Sequence, residues 1–164
     1  MTGCGKCCLR EFCIGDKESN FYDRMWEIHK NELPQEFTNE IKEHLKRKSQ
    51  NRKNTDNSDY PPRCYYAVLL YHMIKDKGLD HYTGLRIDWE KAGEGGKAQD
   101  APAIDHIAHD CKAPFKEEAP NKRVPNVAIC RNDVNDAKND LPVDKFIELC
   151  EAVSEHHKRL VGKK

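Results

Sequence analysis

Asp105 and His106 stand side by side in Ile104-Asp105-His106-Ile107. Twenty residues after His106, Asn126 opens the run Asn126-Val127-Ala128-Ile129-Cys130, and Asn135 and Lys138 follow shortly after it. Neighbouring side chains on a strand point to opposite faces. A carboxylate and an imidazole at a strand end can therefore divide the work, one holding a metal and the other facing a substrate where the chain twists. Asn135 and Lys138 are three residues apart, which places them on one face of a helix. A carboxylate oxygen and an amide oxygen are hard donors that suit Mg²⁺, an ion that keeps several waters and leaves positions open for phosphate oxygens. One hard cation, one imidazole base and one lysine are the parts that phosphodiester hydrolysis needs.

A second group with chemical capacity lies at the start of the chain. Cys4, Cys7, Cys8 and Cys13 fall within fifteen residues that also hold three glycines. Four soft thiolates suit tetrahedral Zn²⁺; free thiols, a ligand set that borrows His29, and an iron–sulfur cluster are the other readings. His109 and Asp110 read as loop residues. His81 reads as a structural histidine, and His156-His157 as part of the polar face of the last helix. Cys64, Cys111 and Cys150 read as small core or loop residues. The basic run Lys42, Lys46, Arg47, Lys48, Arg52, Lys53 is either a solvated helix face or a track for a phosphate backbone.

These residues need elements to position them. The chain has 164 residues with 28 basic and 28 acidic side chains, 34% charged against 37% hydrophobic. Cancelling charges favour a folded chain with a thin core over disorder, and argue against a purely electrostatic nucleic-acid binder. No apolar run approaches the ~18 residues of a membrane-spanning helix, and the first residues lack the basic and apolar blocks of a secretory signal. A soluble intracellular (cytoplasmic) protein with no membrane contact is expected, its cysteines reduced or metal-bound. Residues 1–60 read as a Cys-containing, mostly helical arm. Phe21, Met25, Ile28 and His29 line one helical face, Pro34 interrupts, and Phe37, Ile41 and Leu45 line a second, with a flexible linker over 49–60. Residues 61–164 read as the compact domain. Its first helix starts at Pro61-Pro62, buries Tyr66, Leu69, Leu70 and Met73, and stops at Gly78. Short strands follow over 85–89, 102–107 and 126–130, with a mobile loop at 93–96 and a proline-rich loop from Cys111 to Pro125. A helix begins at Asn132 or Asp133 and is closed by Pro142. The last helix, about 143–160, is expected to bury Phe146, Ile147, Cys150, Val153 and Leu160.

Taken together, Asp105-His106-Ile107, Asn126 followed by apolar residues, and Asn135-x-x-Lys138 opening a helix resemble the HNH endonucleases, the ββα-metal or His-Me finger superfamily. The HNH domains of CRISPR effector nucleases and the phage junction-resolving and homing endonucleases are most similar, and His81-Tyr82-Thr83-Gly84 fits the turn before their first strand. The resemblance covers about residues 64–155. It implies an α+β fold, a ββα-metal finger (short β-hairpin plus helix) embedded in helices, with 61–164 as the nuclease domain. It also implies that Asp105 ligates the metal, that His106 is the general base, and that Asn126 ties the loop to the hairpin and orients His106. Asn135 would be the second protein ligand, where colicin-type members have a histidine, and Arg131 and Lys138 would bind flanking phosphates. Many members hold a structural zinc between two Cys-x-x-Cys pairs; only Cys130 stands at such a place here, so the last helix is expected to supply that packing.

The expected function is a metal-dependent endonuclease that uses Mg²⁺ or Mn²⁺ and His106-activated water on DNA, leaving 5′-phosphate and 3′-hydroxyl ends as the family does. The arm would contact DNA, a partner protein or a second copy, in restriction and phage defence, phage DNA processing or homing. Two other classes stand beside it: a nucleic-acid-binding module of the same fold without turnover, and a metal-chelating protein using Cys4, Cys7, Cys8 and Cys13 with Zn²⁺.

Overall fold

A computed structural model describes residues 20–36, 38–55, 62–92, 98–108, 115–119 and 122–162. The N-terminal cysteines, Phe37, the loop at 93–96, His109, Asp110 and Cys111 lie outside these residues. The elements are α1 (Phe21–His29), α2 (Asn39–Thr55), α3 (Pro62–Lys75), β1 (Pro102–His106), β2 (Phe115–Ala119), β3 (Lys122–Pro125), β4 (Val127–Arg131), α4 (Asn132–Lys138) and α5 (Val143–Val161), with single 3₁₀ turns at Lys30–Glu32 and Trp89–Lys91. The class is α+β. Two separate two-stranded antiparallel sheets are present, β1 with β4 and β2 with β3. No helix among the described residues is long and apolar enough to cross a membrane.

The hydrophobic pattern of α3 dictates the layout. Every side chain from Cys64 to Leu70 is buried, as are His72 and Met73, so this helix is apolar all round and must be enclosed. α1 and α2 cover one side and β4 the other. Phe21, Met25 and Trp26 of α1 and Ile41 and Leu45 of α2 join Tyr65, Tyr66, Leu69, Val127 and Ile129 in one buried cluster. Side chains on both sides of the expected boundary at residue 60 thus share a core. α3 ends in a reversal: Gly78 N–H donates to the Met73 carbonyl at 2.8 Å and Lys77 N–H to that of Ile74 at 3.2 Å. Lys77 (φ 52°) and Gly78 (φ 73°) are both left-handed, which satisfies the last carbonyls of the helix and turns the chain back.

Several expectations are corrected. Residues 49–55, expected within a flexible linker, continue α2, and Ser49 is buried with its hydroxyl donating to the Leu45 carbonyl at 2.7 Å. In α1 Trp26 is buried, whereas Ile28 is exposed. Residues 85–89 form no strand: a lone bridge joins Leu79 to Arg86 and only Ile87 is buried, because Asp88 caps the 3₁₀ turn that follows. The stretch expected as a proline-rich loop contains the β2–β3 hairpin, with Pro125 at its end, where no ladder donor is missed. α4 starts at Asn132 as expected, but the residue in the cap position is Arg131, with no side-chain cap bond; the helix stops at Asn139 (φ 45°), and Pro142 opens α5 instead of closing α4. On α5 only Phe146 is buried; Ile147, Leu149, Cys150, Val153 and Leu160 are exposed. The apolar stripe is present, but nothing among the described residues covers it, so α5 does not supply the packing expected of it.

Two measurements check this fold. Leu69→Ala in the enclosed helix should lower the free energy of urea unfolding by about 2–5 kcal/mol, whereas Leu149→Ala on α5 should stay within about 0.5 kcal/mol. Burial pushes the His44 imidazole down to about 4, helped by Lys48 and Arg47. The unfolded chain therefore takes up a proton that the fold refuses, and stability should fall as pH drops from about 6.5 toward 4. His44→Gln should make that decline shallower but not abolish it, because burial also lowers His72.

Candidate active site

The site is built on the β1–β4 pair. In its register Asp105 lies opposite Ala128 and His106 opposite Val127, and the chain leaves β1 directly after His106. Asn126, just ahead of β4, is buried and holds that exit twice. Its Oδ1 accepts from Ala108 N–H at 2.8 Å, and its carbonyl accepts from Ile107 N–H at 2.8 Å. β4 runs straight into α4, whose first amides are satisfied from the segment before β1: Asn132 N–H donates to the Ala101 carbonyl (2.9 Å) and Asp133 N–H to that of Gln99 (2.7 Å).

α4 packs against β1 and β4 and sends Lys138 into the interior. Lys138 is fully buried, its Nζ 2.9 Å from Asp105 Oδ2 and donating to the His106 carbonyl at 3.4 Å. The Tyr82 hydroxyl donates to the same Asp105 oxygen, and the Lys138 ammonium lies 5.7 Å from the centroid of the Tyr82 ring. Asp105 and His106 are 8% and 7% exposed. Lys138 therefore cannot bind a flanking phosphate where it stands; the reason is the buried carboxylate it neutralises. Asn135 lies one turn earlier, on the Lys138 face of α4, and is partly exposed. Arg131 is engaged too, its guanidinium bound by Asp133 at 3.0 Å and 2.6 Å.

Asp80 went unnoticed in the sequence. Its buried Oδ1 accepts from Tyr82 N–H (3.0 Å), Thr83 N–H (2.7 Å) and the Thr83 hydroxyl (2.7 Å), and its Oδ2 from Arg131 N–H (2.5 Å). Asp80 thus pins the turn carrying Tyr82 to the β4–α4 junction, and His81 N–H adds a bond to the Ile129 carbonyl at 3.1 Å. Gly84 closes the turn at φ 68° with open space around its Cα, so backbone conformation and not room calls for glycine there. An aspartate ahead of x-Tyr-Thr-Gly was the available signal, since Asp readily accepts from amides two and three residues on. Burial, then the nearby Asp105 and Asp80 carboxylates, pushes the Cys130 thiol well above its ordinary range. A buried neutral thiol is a poor zinc ligand. Asp80 and His81 together tie this turn to β4.

The basic run on α2 is partly spent internally. Lys42 pairs with Asp23 at 2.5 Å, and Lys46 lies 3.5 Å from Glu43 and 5.7 Å from the centroid of the Tyr22 ring. The side chains of Arg52 and Lys53 lie outside the described residues.

Asp80→Ala should take the acceptor from the Tyr82, Thr83 and Arg131 amides and the Thr83 hydroxyl and cost about 3 kcal/mol in urea unfolding. Asp80→Asn keeps one acceptor oxygen and should cost less; a loss below about 0.5 kcal/mol for the alanine variant would contradict the pinning role. Comparison of the chain with protein-family models, curated proteins and solved structures returned no match.

Proposed function

We propose that this chain is a metal-dependent endonuclease that hydrolyses DNA phosphodiester bonds through a ββα-metal finger of the HNH type made by β1, β4 and α4. The observation that carries the reading is the contact of Lys138 with Asp105. It brings the end of the Asp105-His106 strand against the helix face that also carries Asn135, so the carboxylate, imidazole and amide named from sequence belong to one strand–strand–helix unit.

The donors suit a hard divalent ion. Asp105 uses Oδ2 for both Tyr82 and Lys138 and leaves Oδ1 without a hydrogen bond among the described residues, and Asn135 offers an amide oxygen. Mg²⁺ or Mn²⁺ held there would offset charge on the phosphate and the leaving oxygen. The residues of the chain do the rest. The His106 imidazole is the group that takes a proton from the attacking water. Its backbone is fixed on both sides, through Lys138 at its carbonyl and Asn126 at the next two amides, and a base held this way loses little freedom on reaching the transition state. Tyr82 and Lys138 keep Asp105 oriented.

A second reading has its own support. The Lys138 ammonium already neutralises Asp105, and His106 is little exposed, as suits a finger that binds nucleic acid without turnover. Incubation with supercoiled plasmid and Mg²⁺ or Mn²⁺ separates the two. The endonuclease should nick or linearise DNA, and His106→Ala should lower the rate by about 10²–10⁴-fold while DNA retention in a gel-shift assay persists. Retention without cleavage by the unsubstituted chain would favour the binding module, and neither cleavage nor retention would sink both.

A further inference from the structure

Away from the Asp105 site, three donors converge where α3 turns back. His72 and Asp76 are four residues apart at the end of α3, hence on one face, and the left-handed Lys77-Gly78 reversal returns the chain so that His81 meets them. One ligand atom from each of His72, Asp76 and His81 lies within 4.8 Å of the others. His81 Nδ1 is 2.7 Å from Asp76 Oδ2, and His72 Nδ1 is 3.7 Å from the same oxygen, past hydrogen-bond reach. The two imidazole planes are nearly perpendicular, at 84°, with centroids 4.8 Å apart.

His72 is the telling member. It is 4% exposed, and neither ring nitrogen has a hydrogen-bond partner among the described residues. A buried polar group left in this way is costly unless something completes it. The crevice beside it, bounded by Leu79, Ile87, Trp89 and Ile129, is too narrow for a water-sized sphere, so water does not serve it from that side. Three donors around an ion at about 2.0–2.2 Å would stand roughly 3.3–3.5 Å apart. The 2.7 and 3.7 Å separations to Asp76 bracket that spacing, and the two imidazole nitrogens lie within 4.8 Å of each other, so side-chain shifts of about 1 Å close the set.

We propose that His72, Asp76 and His81 form a binding site for a borderline divalent transition ion, Zn²⁺ first, which staples the end of α3 to the turn at residues 80–84. Two imidazoles and one carboxylate favour such an ion over Mg²⁺ or Ca²⁺, and the fourth position falls to water. Because His81 N–H is bonded to the Ile129 carbonyl, the ion fixes the turn that carries Asp80 and Tyr82 against β4. The site stands whether or not the chain is a hydrolase.

Thiolates compete for zinc, so the test uses the full chain with C4S, C7S, C8S and C13S as parent, titrated with Zn²⁺ against a chromophoric chelator and with Co²⁺ by visible absorption. The parent should bind one ion at this site. It should give Co²⁺ d–d bands without thiolate charge transfer, and melt about 5–10 °C higher at free zinc a hundredfold above its dissociation constant. His81→Gln and Asp76→Ala, folded by far-ultraviolet circular dichroism, should bind at least about 100-fold more weakly, whereas Asp105→Asn should bind as the parent does. Zinc should also shift the ring resonances of His72 and His81 in the parent, a readout that survives if a variant fails to fold. Unchanged affinity in His81→Gln, unshifted His72 and His81 resonances, or no binding by the parent at micromolar zinc would each overturn the site.

Discussion

From Cys64 to Leu70 the side chains of α3 reach no solvent, and a helix of this kind cannot be satisfied by one neighbour. It needs cover around its whole circumference, and the rest of the molecule is arranged to provide it. α1 and α2 close one side through Met25, Trp26, Ile41 and Leu45, and β4 closes the other through Val127 and Ile129. Putting β4 there decides where the candidate site sits. β1 must pair with β4, α4 must begin where β4 ends, and Asp105 and His106 are left at the rim of the core with Lys138 reaching them from the adjoining helix.

How much of this was legible in the sequence depends on whether the deciding force was local. α3, β1, β4 and the extent of α5 follow from apolar periodicity and from turn residues such as Gly78 and Pro142, because those signals act over a few residues. The tail of α2 did not, since Ser49–Thr55 carries no apolar repeat and is held by the helix before it and by the back-bonded Ser49. Leu85–Trp89 alternates as a strand would, yet finds a partner only at Arg86. Along α5 the pattern gives a stripe but not its cover, because periodicity records which face is apolar and not what meets it. At the site, Asp105, His106 and Asn126 could be named from type and order. The confinement of Lys138 could not, because it depends on an interaction across 33 residues, and the Asp80–Arg131 bond spans 51.

The buried Asp105–Lys138 pair is a structural commitment as well as a chemical one. The Lys138 ammonium is cut off from water and Asp105 is nearly so, so the buried lysine is tolerated because the carboxylate is present. The pair holds α4 at a fixed height against β1, and Tyr82 adds a second donor to the same Asp105 oxygen from the turn that Asp80 controls. The same turn is reached from α3 through His81 and Asp76. Three elements distant in sequence therefore converge on residues 80–84, and a disturbance in any of them is felt at the candidate site.

The closure at Asn126 has a consequence of a different kind. The chain departs at Ile107 and comes back at Asn126 through a bonded gate, and the β2–β3 hairpin carried between them sends Phe115 into the common core. Lengthening a tethered excursion changes its closure entropy only slowly, by about 0.6 kcal/mol per doubling. Residues added between Ala119 and Lys122 thus need not move Asp105, His106 or α4, whereas exchange of the whole excursion would take Phe115 out of the core. The end of that hairpin is the port for grafting a reporter or a recognition loop.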